Sequence, residues 1–255
     1  MIITDTHTHL YAKEFEKDLS DLMVVAEAAD IQRFFLPNID STSIQGMLDL
    51  ETRFPGRCFP MMGLHPCSVK ENWKDEMRIV EEWLSKRKFV AVGEMGIDLY
   101  WDKTFIEEQK EVFRQQVALA NQNKMPIVIH TRDSFDVAYE LLKEVKKEAP
   151  CGIFHCFTGN AEQAKMVIDM GFYIGIGGVV TFKNSGLDKT LAEIDLKNIV
   201  LETDAPYLAP APFRGKRNEP VYIVKVAEKI AELKNCSVEE VASTTTENSK
   251  KIFGI

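Results

Sequence analysis

The sequence predicts an α/β protein of the (β/α)8 TIM-barrel type, and three observations carry that expectation. Eight strand-like apolar runs alternate with charged segments of helical spacing. Shared over 255 residues, eight units come to about 32 residues each, near the roughly 30-residue size of a strand–helix–strand repeat. Runs such as Ile127-Val128-Ile129 and Ile199-Val200-Leu201 are apolar without alternation, as strands of a parallel sheet covered by helices must be. An open doubly wound sheet has the same local pattern and stands as the alternative.

Taken in order, the expected strands cover residues 1–5, 33–37, 58–63, 89–94, 126–130, 151–156, 173–177 and 198–204, each a short run rich in β-branched or apolar residues. Between them, Phe105, Val112, Phe113, Val117 and Ala120 recur at helical spacing, as do Ala138, Leu141, Leu142 and Val145. Two further helices, over residues 221–233 and 238–252, are expected to complete the fold. No Pro-, Gly- or Ser-rich linker interrupts the chain and no sequence repeat is visible, so residues 1–255 read as one domain.

Composition narrows the function. A hydrophobic content of 45% is ordinary for a globular core. No apolar run is long enough to span a membrane and no secretory signal opens the chain, which predicts a soluble cytoplasmic protein. Thirty-one Lys and Arg against thirty-nine Asp and Glu leave a net charge of −8, which excludes a protein that coats nucleic acid by bulk charge. Five cysteines without a C-x-x-C pair indicate neither a disulfide framework nor a zinc ribbon. No obligate protein partner is evident.

Chemistry concentrates at the expected strand ends. All five histidines, His7, His9, His65, His130 and His155, lie at or just past them, as do Asp5, Glu94, Glu202 and Asp204. In a barrel those ends converge on one mouth, where active sites are built. The two-residue strand period points His7 and His9 the same way, so a single cation can take both. With Glu94, His130, His155 and Asp204 they form a nitrogen and carboxylate donor set suited to Zn, Mg, Mn or Ni; the competing reading is a set of mutually satisfied structural polar groups. Six ligands exceed the needs of one tetrahedral ion with an open position, which favours two ions bridged by Glu94. His7, His9 and Asp204 are expected on one ion, His130 and His155 on the other. His65 is expected to contact the substrate or its leaving group, or else to orient its own turn.

Around this set, Arg132, two residues past His130, is the foremost phosphate contact, and Arg214, Lys216 and Arg217 form a basic loop expected to overhang the mouth. Tyr100, Trp101, Phe157, Tyr207 and Phe213 are loop aromatics that either stack on bases or pack. Cys156 is expected to point outward against the helices when His155 points in. Cys67 carries no sign of a base-activated nucleophile.

Together the motifs Asp5-Thr6-His7-Thr8-His9-Leu10, Gly63-Leu64-His65-Pro66, Gly93-Glu94-Met95-Gly96-Ile97-Asp98, His130-Thr131-Arg132, His155-Cys156-Phe157-Thr158-Gly159, Glu202-Thr203-Asp204-Ala205-Pro206-Tyr207-Leu208 and Arg214-Gly215-Lys216-Arg217-Asn218-Glu219-Pro220 resemble the TatD family of metal-dependent deoxyribonucleases, along essentially the whole chain. The resemblance implies a barrel, two divalent ions on His7, His9, Glu94, His130, His155 and Asp204, and hydrolysis of DNA phosphodiesters by an exonuclease. In the expected reaction Asp204 accepts the proton of the attacking water, Arg132 and the metals balance charge on the phosphate, His65 assists, and Glu202 orients a ligand. RNA is a possible substrate. The rival functions are a metal-dependent ester or amide hydrolase, such as a deacylase of misacylated tRNA, and a non-catalytic metal-binding protein.

Overall fold

The computed structural model describes residues 2–145 and 151–255; Met1, the first residue of the first expected strand, lies outside them. Among the described residues eight parallel strands follow in chain order: β1 (Ile3–Asp5), β2 (Ile31–Pro37), β3 (Cys58–Met61), β4 (Val92–Asp98), β5 (Ile127–Arg132), β6 (Gly152–Phe154), β7 (Tyr173–Ile176) and β8 (Ile199–Leu201). They pair as β1-β2-β3 and β4-β5-β6-β7-β8. Backbone hydrogen bonds cross both seams: a parallel bridge joins Met62 to Val92, and the Thr6 N–H donates to Leu201 O at 2.9 Å. The helices that follow the strands are α1 (Leu19–Ala28), α2 (Ile44–Arg53), α3 (Trp73–Lys86), α4 (Ile106–Asn123), α5 (Phe135–Val145), α6 (Ala161–Asp169), α7 (Leu187–Ala192) and α8 (Ile223–Lys234), with α9 (Val238–Phe253) last.

Two apolar clusters explain why the strands do not alternate in hydrophobicity. Phe35, Met61, Ala91, Val128, Ile153 and Val200, from six successive parts of the chain, meet in one small cluster with Ile252 and Phe253 of α9. Their sequence neighbours Phe34, Leu36, Ile127, Ile129, Phe154, Ile199 and Leu201 belong to the larger cluster shared with the helices. One strand face therefore fills the barrel interior and the other meets the helix layer, and both require apolar residues. The rings of Phe35 and Phe253 stack at 3.9 Å, so the end of α9 plugs the interior.

The site follows from the same period. Two residues beyond Val128, Ile153 and Val200 stand His130, His155 and Glu202, which places polar groups in the next inward-facing layer. Strand ends differ from expectation most at β4, which runs to Asp98 rather than stopping at Glu94. It continues because every residue from Val92 to Asp98 is buried, and because a glycine at 96 lets it approach β5: a Cβ there would stand 2.0 Å from His130 O.

Candidate metal centre

His7 and His9 lie beyond β1, yet the backbone keeps a strand-like exchange with both neighbours. The Thr8 N–H donates to Phe35 O, and on the other side His9 N–H donates to Ala205 O while Asp204 N–H donates to His7 O. The last bond brings Asp204, whose backbone is left-handed at φ 56°, against the histidine pair. Glu94 sits at an irregularity in the β4–β5 register between Val92 and Met95, and its N–H is taken by Asn38 O.

Glu94 is the centre of the arrangement. Its Oε2 stands 3.0 Å from His7 Nε2 and 3.8 Å from His9 Nε2. Asp204 Oδ1 completes that side, 3.3 Å from His9 Nε2 and 3.9 Å from His7 Nε2. Glu94 Oε1 faces His130 Nδ1 at 2.8 Å, His155 Nε2 at 2.9 Å and His65 Nε2 at 3.3 Å. Donors held about 2.0–2.2 Å from one tetrahedral ion stand roughly 3.3–3.6 Å apart; the closest contacts here, at 2.8–3.0 Å, are hydrogen bonds that a cation would replace with the donors drawn slightly apart. The donor chemistry fits as well: imidazoles face carboxylates with no Lys or Arg interposed among these contacts, and three compact potential ligand groups overlap here, His65, Glu94 and His130, then His7, His9 and Glu94, and also His7, His155 and Asp204.

Electrostatics point the same way. Burial opposes ionisation of Glu94, but the surrounding His155, His65 and His7 overcome it and hold its carboxyl well below the usual range. Burial likewise works against an imidazolium at His155, and the Glu94 and Glu202 carboxylates override it, raising the pKa well above the usual value. His7 goes the other way, lowered by burial and by the neighbouring His155. The lone pairs that hold protons here are the ones a divalent ion would take.

A shell of partners fixes the donors. Asp98 Oδ2 holds His130 Nε2 at 3.0 Å, turning Nδ1 toward Glu94, while Asp98 Oδ1 accepts the N–H groups of Tyr100 and Trp101. Tyr11 Oη lies 2.8 Å from His9 Nδ1. Glu202, fully buried, stands 3.5 Å from His155 Nδ1 and accepts the Cys156 N–H; it does not line the cavity. Gly175 makes its room, since a Cβ there would lie 2.2 Å from Glu202 Oε2. Asp5 accepts Thr203 N–H and Oγ–H and the His7 N–H, and burial pushes its carboxyl up to about 8, tying β1 to the segment that carries Asp204. Asp98 and Tyr11 escaped the sequence reading. The signal for Asp98 was present, because it lies two strand periods beyond Glu94 on the same face, but an early strand end at Glu94 hid it.

The family described as TatD related DNase matches residues 4–254. The chain belongs to that family. It is 42% identical over 255 residues to the metal-dependent hydrolase YabD of Bacillus subtilis, with both chains fully covered. It is 34% identical over 261 residues to the metal-dependent hydrolase YcfH of Escherichia coli, covering all of this chain and 97% of that one. The crystal structure of YJJV, a TatD homologue of Escherichia coli, matches with a TM-score of 0.93 at 27% identity, over 99% of this chain and 98% of that one. The chain is thus a TatD-family metal-dependent hydrolase with a TIM-barrel fold.

In this TatD-family hydrolase the donors other than the fully buried His7 open into a cavity of about 840 Å3, also lined by Cys67, Tyr100, Trp101, Arg132, Cys156 and Tyr207. Arg132 reaches it as expected of a residue two beyond His130. Arg214, Lys216 and Arg217 are not among its lining residues. Arg217 pairs with Asp18 at 2.6 Å and Glu219 at 3.1 Å, and the Arg214 guanidinium lies over the Phe182 ring at 3.6 Å. Cys156 corrects the strand-period expectation: β6 ends at Phe154, and a left-handed turn at φ 45° swings Cys156 to the cavity instead of the helix layer. Phe157 is buried beside Phe135, and Phe213 stacks on Tyr222 at 4.0 Å, so both pack. His65 serves two contacts at once, since Nδ1 accepts the Cys67 N–H at 3.0 Å while Nε2 faces Glu94.

Proposed function

We propose that this chain is a two-metal-ion phosphodiester hydrolase that acts on DNA as an exonuclease preferring single-stranded ends. The observation that carries the reading is Glu94, whose two oxygens face separate donor groups. His7, His9 and Asp204 would hold one ion and His130 and His155 the other, with Glu94 shared. When bound, such ions supply Lewis acidity and lower the pKa of coordinated water toward neutrality. Asp204, the most accessible of the site's carboxylates at 14% side-chain exposure, accepts the proton of the attacking water at a carboxylate oxygen. The Arg132 guanidinium balances charge on the non-bridging phosphate oxygens, and His65 Nε2 donates to the phosphate or the departing oxygen.

DNA as the substrate is supported by the family's description and by a cavity that combines one arginine with exposed aromatic side chains. Single-strand preference is supported by burial: His7, His9, Glu94 and His155 are each at most 3% exposed, so a phosphate must enter the cavity, which a stacked and paired backbone resists. We place the enzyme in the cytoplasm, as the free thiols of Cys58, Cys67, Cys156 and Cys236 favour a reducing compartment; no helix among the described residues is long and apolar enough to cross a membrane.

The test is metal-reconstituted protein on end-labelled single-stranded DNA, duplex DNA, RNA and aminoacyl-tRNA. Successive mononucleotide release, fastest from single-stranded DNA, is expected. Release of amino acid from tRNA with DNA untouched would replace this reading by that of a deacylase.

A further inference from the structure

Three aromatic side chains among the described residues are exposed, Tyr100, Trp101 and Tyr207, and all three line the metal-centre cavity. Exposed rings are costly to leave in water, and here they are gathered at one opening instead of scattered over the surface. Two of them form a built structure with Arg132. The rings of Tyr100 and Trp101 meet edge to face at 4.9 Å and 88°. The Arg132 guanidinium lies 3.9 Å from the Tyr100 ring centroid and 5.1 Å from that of Trp101. Their backbone is not a free loop tip, because both N–H groups, at 2.9 and 3.1 Å, donate to the same Asp98 oxygen, and the other oxygen of Asp98 holds His130. One carboxylate thus fixes the aromatic pair relative to a metal-ligand candidate. Arg132 reaches the same place from β5, two residues beyond His130.

We propose that Trp101, Tyr100 and Arg132 form a nucleobase subsite, in which Trp101 stacks on the base next to the scissile phosphate while Arg132 takes the phosphate. Trp101 is the platform because it is the more open of the pair, at 68% against 52% exposure, and because Tyr100 is already occupied by the guanidinium. Stacking on a planar ring is available to every base, so the subsite selects for an unpaired base and not for its identity. The inference rests on the phosphodiester reading and deepens it: discrimination against duplex would come from the need to splay one base onto Trp101.

The test is equilibrium binding by calorimetry of deoxyadenosine monophosphate and of 2-deoxyribose 5-phosphate, which lacks the base, to the purified protein and its variants. The wild type should bind the nucleotide about 5- to 150-fold more tightly, the range expected for one base–aromatic stack. Trp101→Ala should abolish that preference, and Trp101→Tyr should restore most of it. As Trp101 is largely exposed, neither change threatens the fold. Equal affinity for the two phosphates in the wild type, no binding of either, or an undiminished preference in Trp101→Ala would overturn the subsite. A protein that discriminates through Trp101 yet cleaves no DNA when metal-loaded would remove the proposed activity and leave the subsite standing. One that cleaves single-stranded DNA without any base preference in binding would do the reverse.

Discussion

The inward strand ends and the basic loop after β8 are both polar, both rich in titratable groups and both motif-bearing, yet they are built on opposite terms. At the strand ends each side chain has a direction set by the sheet. His130, His155 and Glu202 stand one period beyond an apolar interior layer, so their convergence on Glu94 and each other follows from the barrel. In the loop no such period operates. Arg217 is claimed by Asp18 on one side and Glu219 on the other, and Arg214 by the face of Phe182, leaving Arg132 as the arginine of the four basic candidates that lines the cavity. Charge placed by a sheet is aimed at the site; charge placed by a loop goes to the partner that folding brings nearest.

That contrast can be broken most sharply at Glu94. Glu94→Ala removes the carboxylate that the proposed two-ion reading shares, so metal content by elemental analysis should drop, and turnover should fall by more than the about 10⁴-fold that loss of acid–base assistance alone can cost. Retention of two ions with near-normal turnover would dissolve the claim that the strand ends act as one unit. His65→Ala comes next. His130, His155 and Glu94 still offer three donors, so metal content should hold while turnover drops about 10²- to 10⁴-fold. Loss of one ion in that variant would instead make His65 a ligand of the group it forms with Glu94 and His130.

The two arginine classes give the direct test. Arg132→Ala should lower kcat/KM on single-stranded DNA by about 10²-fold, the scale for one charge-stabilising donor. Asp98→Ala should cost about 10- to 100-fold in activity or metal affinity, as is usual for a partner that orients a ligand, and the loss should be accompanied by weaker metal retention on dialysis against chelator. Arg217→Ala should leave kcat/KM within about twofold and lower the unfolding free energy by about 1 kcal/mol or less, because its ion pairs are partly exposed and screened. An effect of Arg217 on catalysis as large as that of Arg132 would erase the distinction between the two regions.

Much of this protein is legible in its sequence. The parallel α/β architecture followed from eight short apolar runs at regular spacing, since a parallel sheet buried on both faces leaves a non-alternating pattern; the choice of a barrel over an open doubly wound sheet rested on the unit length and the family resemblance. The gathering of His7, His9, Glu94, His130, His155 and Asp204 followed from their common place at strand ends. Local period failed where the backbone departs from a regular strand: the left-handed turn at Cys156 reverses its direction, and the continuation of β4 to Asp98 supplies a carboxylate that an earlier end concealed. Pairings between distant segments were out of reach for a different reason. Whether Arg217 meets a substrate or Asp18 and whether Trp101 packs or stays open depend on which segments lie side by side across the barrel. No local pattern encodes that adjacency; long-range packing sets it, and with it the partner each charge or ring finally takes.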